Sequence, residues 1–171
     1  MEQQTNSKGC LSVSKDRTTQ IPAATFSLDS RLAADCHKLL STPESDILLV
    51  NKRLFRPWFI LVPYTNMHEL IDLAPEQLRT VMHQIAILTR FMRTEYRPDK
   101  INTATIGNVV SQLHIHIVAR YHDDPCWPGT VWGWSPNEQN QIKQPHSAQQ
   151  YSAAEVEVIK QKLLHIPDLL S

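Results

Sequence analysis

Two short runs, DILLVNK at 46–52 and PWFILVP at 57–63, restrict what this chain can fold into more than anything else in it. Both are dense in aliphatic and aromatic residues, a charged connector separates them, and Pro63 stops the second, a pattern that predicts a β-hairpin with a buried face. Pro75 then stands where a first helical position tolerates a missing N–H. From there Leu78, Met82, Ile85, Leu88 and Met92 recur at three- and four-residue steps, so one long amphipathic helix is expected to end near Tyr96 and Pro98 and to lie across the sheet. Two further strands are expected at KINTATI (100–106) and SQLHIHIVARY (111–121), joined by Gly107-Asn108. The order strand, strand, helix, strand, strand suits an antiparallel sheet with a helix on one face, an α+β arrangement.

The flanks read differently. FSLDSRLAADCHKLL (26–40) predicts a short helix capped by Asp29 or Ser30 and carrying Leu32, Cys36, Leu39 and Leu40, until Ser-Thr-Pro at 41–43 breaks it. After His122 comes DDPCWPGTVWGWSPNEQNQ, which gathers three of the four tryptophans and predicts irregular but ordered structure. Ser152-Ala-Ala-Glu155 then forms a capping box, and Val156, Ile159, Leu163 and Ile166 trace a helical stripe before Pro167. The 171 residues thus divide into a mobile N-terminal arm over 1–24, one domain over 25–135, and a C-terminal extension over 136–171 with a helix at about 152–165.

Charge excludes some partners. Lys plus Arg and Asp plus Glu both number 17, so no basic field draws the chain to a nucleic-acid polymer or an anionic membrane. A small phosphorylated ligand stays open, because oriented backbone amides bind phosphate without a basic surface. Cys10, Cys36 and Cys126 form no CxxC pair, which favours a reducing, cytoplasmic setting. The first twenty residues hold neither a secretory apolar region nor a membrane span, and no later apolar segment reaches membrane length.

Within QLHIHIVAR, period-two geometry puts Leu113, Ile115 and Ile117 on one strand face and Gln112, His114, His116 and Arg120 on the other, with successive members about 7 Å apart. The spacing alone is a weak pointer, since half-exposed strand histidines would show it too. Its surroundings add weight: Gly107-Asn108 can turn backbone N–H groups toward an anion, and Asn51 and Asn102 sit in strand-like runs where asparagine is disfavoured. Trp127 follows closely enough to fold over the strand end. A metal site is the chemical rival; it needs a third ligand, for which His122, Asp123 and Cys126 are the candidates. His83 lies off the helix stripe and is expected in solvent, while His37, His68, His146 and His165 have no chemical company in the sequence.

The stretch GNVVSQLHIHIVARYHDDPCWPG resembles the signature of the histidine triad (HIT) family, His-φ-His-φ-His-φ-φ with φ apolar, with Gln112 in place of the first histidine, His114 at the second and His116 at the third. The LLVNKR hairpin, the Val-Pro closing the next strand, the long helix and the glycine turn follow in family order, and the resemblance covers roughly Phe26 to Gly133. It implies a HIT-like fold, an antiparallel sheet of about five strands with the long helix packed on it, in a homodimer. It further implies diadenosine tetraphosphate hydrolase-like chemistry: cleavage at the α-phosphate of a dinucleoside polyphosphate or nucleoside phosphoramidate, with His114 as nucleophile forming a covalent nucleotidyl-histidine. His116 would contact the same phosphate or the leaving group, and Asn108 with the N–H groups of Val109 and Val110 would hold the phosphate. Asn51 would face the nucleoside, Asn102 the phosphate, and Trp127 would shape specificity across the dimer. No cofactor is obligatory, and Mg2+ would enter on the substrate phosphates.

Two departures stand out. Gln112 can orient a neighbour by hydrogen bonding but cannot be protonated, and Trp58 stands where many members carry a further histidine. Two other readings stay open at this point: a nucleotide-binding module with little or no turnover, and a His-x-His metal-dependent hydrolase.

Overall fold

The computed structural model describes residues 20–134 and 150–170. The helix expected over 26–40 is half replaced by strand. Asp29 caps α1 (Ser30–Asp35) by accepting the Arg31 N–H at 2.8 Å, and the chain then extends into β1 (Cys36–Ser41). A bulge between Lys38 and Leu40 lets Leu39 and Leu40 both be buried. Consecutive burial defeats the period of two by which a strand is usually recognised, and the leucine spacing then mimics a helix.

The hairpin forms as expected, from β2 (Ser45–Val50) and β3 (Trp58–Pro63), with Leu49 opposite Phe59. Both of its faces are buried, however. Ile47, Leu49, Phe59 and Leu61 join the core beneath the long helix, whereas Leu48, Val50, Trp58, Ile60 and Val62 join a second cluster with Leu32, Phe55, Val110 and Val131.

The long helix α2 runs from Pro75 to Tyr96, but its buried stripe is rotated from the one its apolar residues suggest. Ile85, Leu88 and Met92 point inward together with Gln77, Val81, Gln84 and Phe91, while Met82 is half exposed. The glutamines are tolerated because they are bonded. Gln84 accepts from the Ser45 hydroxyl at 2.9 Å and donates to Thr42 Oγ1 at 3.0 Å, and Gln77 donates to the Tyr64 carbonyl at 3.1 Å. These contacts fasten the first half of α2 to the ends of β1, β2 and β3.

β4 (Lys100–Thr105) and β5 (Ile115–Arg120) complete an antiparallel five-stranded sheet in the order β1-β2-β3-β5-β4. β5 is shorter than its sequence suggests: the ladder begins with Thr105 opposite Ile115, and Ser111–His114 stays outside it. Gly107-Asn108 therefore opens a loop rather than a tight turn. α3 (Ala153–Leu164) starts with the expected capping box at Ser152 and Glu155 and lies against β1, burying Ile159 and Leu163 in the main core. Residues 20–24, expected within a mobile arm, are joined to the body by a bridge from Gln20 to Thr65 and a 2.7 Å bond from the Ile21 N–H to the Tyr64 carbonyl. Residues 1–19 of the expected arm, 135 of the expected domain, and 136–149 and 171 of the expected extension lie outside the described residues.

Arg120, at the far end of β5, is 2% exposed and organises the turn that follows. It bonds Asp124 with two nitrogens, the Gly129 carbonyl at 2.8 Å and Asn102 Oδ1 at 2.8 Å. Gly129 is required for this approach, since a Cβ there would lie 2.9 Å from the Cys126 carbonyl oxygen. Arg120→Met would leave the buried Asp124 carboxylate unpaired and should lower unfolding free energy by about 3–5 kcal/mol. Urea denaturation checks this, and a loss below about 1 kcal/mol would contradict it.

Candidate active site

The predicted face assignment holds from Leu113 to Arg120, while Gln112 lies outside the ladder with its side chain turned to Ser27 and Asp29. Leu113, Ile115, Ile117 and Ala119 enter the core beneath α2, while His114, His116 and Arg120 lie on the opposite side with Val118. That side is not wet, so half-exposed strand histidines do not describe it: His114 is 5% and His116 8% exposed. The two ring centroids are 4.8 Å apart, closer than the roughly 7 Å between alternate residues of a regular strand, and His114 stands just outside the ladder.

Each imidazole has one nitrogen assigned by its partner. The indole N–H of Trp58 donates to His116 Nδ1 at 2.9 Å. Nδ1 must then carry a lone pair, which leaves the proton of the neutral ring on Nε2. Trp58 and Trp132 pack edge-on against the ring, at 5.5 and 5.7 Å between centroids. Burial, with a smaller contribution from His114, pushes the His116 pKa from 6.5 down to about 3. His116 is a neutral hydrogen-bond donor through Nε2.

His114 is wired in the opposite sense. Its Nδ1 lies 2.7 Å from the Gln112 carbonyl oxygen, an atom that can only accept, so Nδ1 holds the proton and Nε2 keeps the lone pair. The Gln112 side chain does not reach toward the histidines. Its Oε1 accepts the Asp29 N–H at 2.9 Å and its Nε2 donates to the Ser27 carbonyl at 2.9 Å. Gln112 therefore orients His114 through its backbone and clamps residues 27–29 through its side chain.

A cavity of about 280 Å3 opens beside His114, lined also by Ser111, Gln112, Gly107, Asn108, Thr105 and His68. His68 was given no role by the sequence; its Nδ1 lies 2.7 Å from the Ser111 carbonyl oxygen. The chain brings it in by way of the segment between Pro63 and α2, and nothing local in its own surroundings signals that approach.

Other expected residues lie elsewhere. Asn51, past the end of β2, accepts the Tyr151 N–H at 2.9 Å, and Asn102 is bonded to Arg120. The strand register sets Asn102 opposite Val118, within β5 and past His116 from His114, and Asn51 follows the end of β2 on that same side of the sheet. Val110 is buried in the second cluster and Val109 is 73% exposed. Trp127 packs on His122 at 4.6 Å and lies 5.7 Å from the Arg120 guanidinium; the tryptophans that pack on His116 are Trp58 and Trp132.

Residues 31–123 match the family model described as HIT domain. A histidine triad protein from Marinobacter aquaeolei VT8 is 36% identical, with a TM-score of 0.72, over 85% of this chain and 98% of that one. The chain belongs to the HIT family. A histidine triad protein from Bradyrhizobium japonicum is 34% identical with a TM-score of 0.69, over 82% of this chain and 97% of that one. A histidine triad (HIT) protein from Sinorhizobium meliloti 1021 is 28% identical with a TM-score of 0.72, over 84% of this chain and 98% of that one. No protein with a curated description is significantly similar to the chain.

HIT membership places the chain among nucleotide-binding and hydrolase-type proteins in general. The rings of His114 and His116 lie beside one another, while the Gln112 side chain is bonded to Ser27 and Asp29. Among the described residues no three His, Cys, Asp or Glu side chains are grouped to hold a metal ion. His122 pairs with Asp99 at 3.0 Å beyond the far end of β5, and Cys126 lies against the Arg120–Asp124 pair. No helix among the described residues is long and apolar enough to cross a membrane.

The His116 arrangement has a pH signature. The unfolded chain protonates this imidazole below about 6.5 and the folded chain only near 3, so as pH falls through that window the unfolded state binds more protons and stability drops, by about 1.4 kcal/mol per pH unit from this residue. Nitrogen-detected NMR should find His116 neutral, with its proton on Nε2, down to about pH 4. Titration near 6.5 would contradict the buried Trp58–His116 pair.

Proposed function

We propose that this HIT protein hydrolyses or transfers nucleotides at the α-phosphate, acting on a dinucleoside polyphosphate or a nucleoside phosphoramidate through a covalent nucleotidyl-His114. The observation that carries this reading is the 2.7 Å bond between His114 Nδ1 and the Gln112 carbonyl, which directs the lone pair to Nε2 in a rigid, buried ring beside a cavity. An imidazole held in this tautomer needs no base to activate it, and two easier displacements replace one hard one.

In the first step Nε2 of His114 forms a bond to the α-phosphorus while the bond to the leaving group breaks, the leaving group taking the electron pair. In the second, water attacks the same phosphorus and the P–N bond returns its pair to Nε2. The work of the surrounding protein is positioning and charge stabilisation. His116, neutral and donating through Nε2, suits a phosphoryl oxygen. The loop at Gly107-Asn108 lines the cavity and suits the phosphate chain, with Asn108 and the backbone N–H groups of Val109 and Val110 as donors. No resident cofactor enters this scheme, and Mg2+ would come with the substrate.

The working unit in this reading is a homodimer acting on a small nucleotide in the cytoplasm, without nucleic-acid polymer or membrane. Trp127, at the opposite end of β5 from His114, would act on specificity only across such a dimer. Asn51 and Asn102 would contribute by holding α3 and Arg120 rather than by touching the ligand.

A panel of dinucleoside polyphosphates and nucleoside phosphoramidates should release nucleoside monophosphate with wild-type protein. His114→Ala should lower the rate by at least about 10⁴-fold, in line with loss of a covalent nucleophile. Micromolar nucleotide binding in calorimetry with no turnover on any substrate would instead assign a binding module.

A further inference from the structure

The proposed reaction needs a proton delivered in one step and removed in the other, and none of the motif residues can do both. A basic leaving group must be protonated as its bond to phosphorus breaks, and the attacking water must lose a proton in the second step. His116 accepts from Trp58 at Nδ1 and has its pKa held near 3 by burial; giving up its Nε2 proton would leave an imidazolate. Gln112 has no ionisable group, and both ends of its amide are occupied by Ser27 and Asp29. His114 spends its Nε2 lone pair on phosphorus.

The cavity beside His114 has two further ionisable side chains in its lining, the exposed Glu69 and, oriented by a backbone carbonyl, His68. Its ring is held as His114 is held, and by the adjacent carbonyl: His68 Nδ1 donates to Ser111 O and His114 Nδ1 to Gln112 O, each at 2.7 Å. Both rings therefore keep Nδ1–H on the backbone and leave Nε2 for chemistry. The two differ in surroundings, since His114 is buried whereas His68 is solvent-exposed. A buried neutral ring suits a nucleophile. A ring open to water can exchange a proton with solvent.

We infer that His68 is the acid and base of this site, brought to the cavity from the segment after β3 and in the role that Gln112 cannot fill. The inference rests on the nucleotidyl-histidine reading above. Protonated His68 gives its Nε2 proton to the leaving group as the bond from His114 to phosphorus forms. Neutral His68 then takes a proton from the attacking water as the P–N bond breaks and its electron pair returns to His114. One cycle consumes a substrate and a water, releases the nucleoside monophosphate and the protonated leaving group, and restores both histidines.

The test compares wild type, His68→Gln and His68→Ala on two substrates in pre-steady-state kinetics. One is a 4-nitrophenyl nucleotide ester, whose leaving group departs without a proton; the other is a nucleoside phosphoramidate, whose amine does not. His68→Gln retains a donor for the Ser111 carbonyl and removes proton transfer. It should release 4-nitrophenolate in a first-turnover burst within about twofold of wild type, lose about 10²-fold or more in the first turnover of the phosphoramidate, and hydrolyse the nucleotidyl-enzyme about 10²-fold more slowly with either substrate. An equal loss of first turnover on both substrates, or recovery in His68→Gln of what His68→Ala loses, would assign His68 a structural role and overturn the inference. So would unchanged kinetics in both variants. Failure of wild type to form any nucleotidyl-enzyme would overturn the underlying reading as well, so the two failures are told apart.

Discussion

The hydrogen bond from His114 Nδ1 to the Gln112 carbonyl is the contact on which the functional reading of this molecule depends. It chooses the tautomer, and the tautomer decides whether a buried ring presents a lone pair or a proton to the cavity. That bond needs residue 112 to be held outside the β5 ladder, and the Gln112 side chain does this by bridging Ser27 and Asp29. A glutamine in the first motif position thus does structural work for the histidine two residues later. The clamp lies just before the strand, which begins where Ile115 pairs with Thr105, the last residue of β4.

The second condition is a sheet buried on both sides. β2, β3 and β5 are each buried along their whole length, with α2 and α3 over one face and the chain around α1, Phe55 and Val131 over the other. A fully covered face makes an ionised imidazole costly, and this is what keeps His116 neutral against Trp58. The two motif histidines therefore differ in which nitrogen carries the proton rather than in burial. His114 and His116 show how two chemically identical side chains acquire opposite polarity: one gives Nδ1–H to a carbonyl, the other receives an indole N–H.

Much of this was legible in the sequence. The hairpin, the extent of α2, the capping box of α3 and the sidedness of Leu113 to Arg120 all follow from periodicity and punctuation, and the motif resemblance identified the family. What escaped has common physical causes. β1 was hidden because its bulge buries Leu39 and Leu40 in succession. The rotation of α2 was hidden because Gln77 and Gln84 are satisfied by groups far away in sequence. At the site, His68 and Trp132 lack local signals; their proximity to the motif histidines arises only when the segment after β3 and the segment after β5 fold back. Asn51 and Asn102 stand out as polar residues in strand-like runs, and each is bonded there, to Tyr151 and to Arg120.

The central claim, that Nε2 of His114 becomes bonded to phosphorus, has a direct test. Wild-type protein mixed with a nucleoside phosphoramidate or dinucleoside polyphosphate, quenched in alkali within the first turnover and digested, should yield by mass spectrometry a peptide spanning His114 that carries one nucleoside monophosphate. Turnover proceeding without any such adduct, or an adduct placed on His116 or His68, would contradict the account.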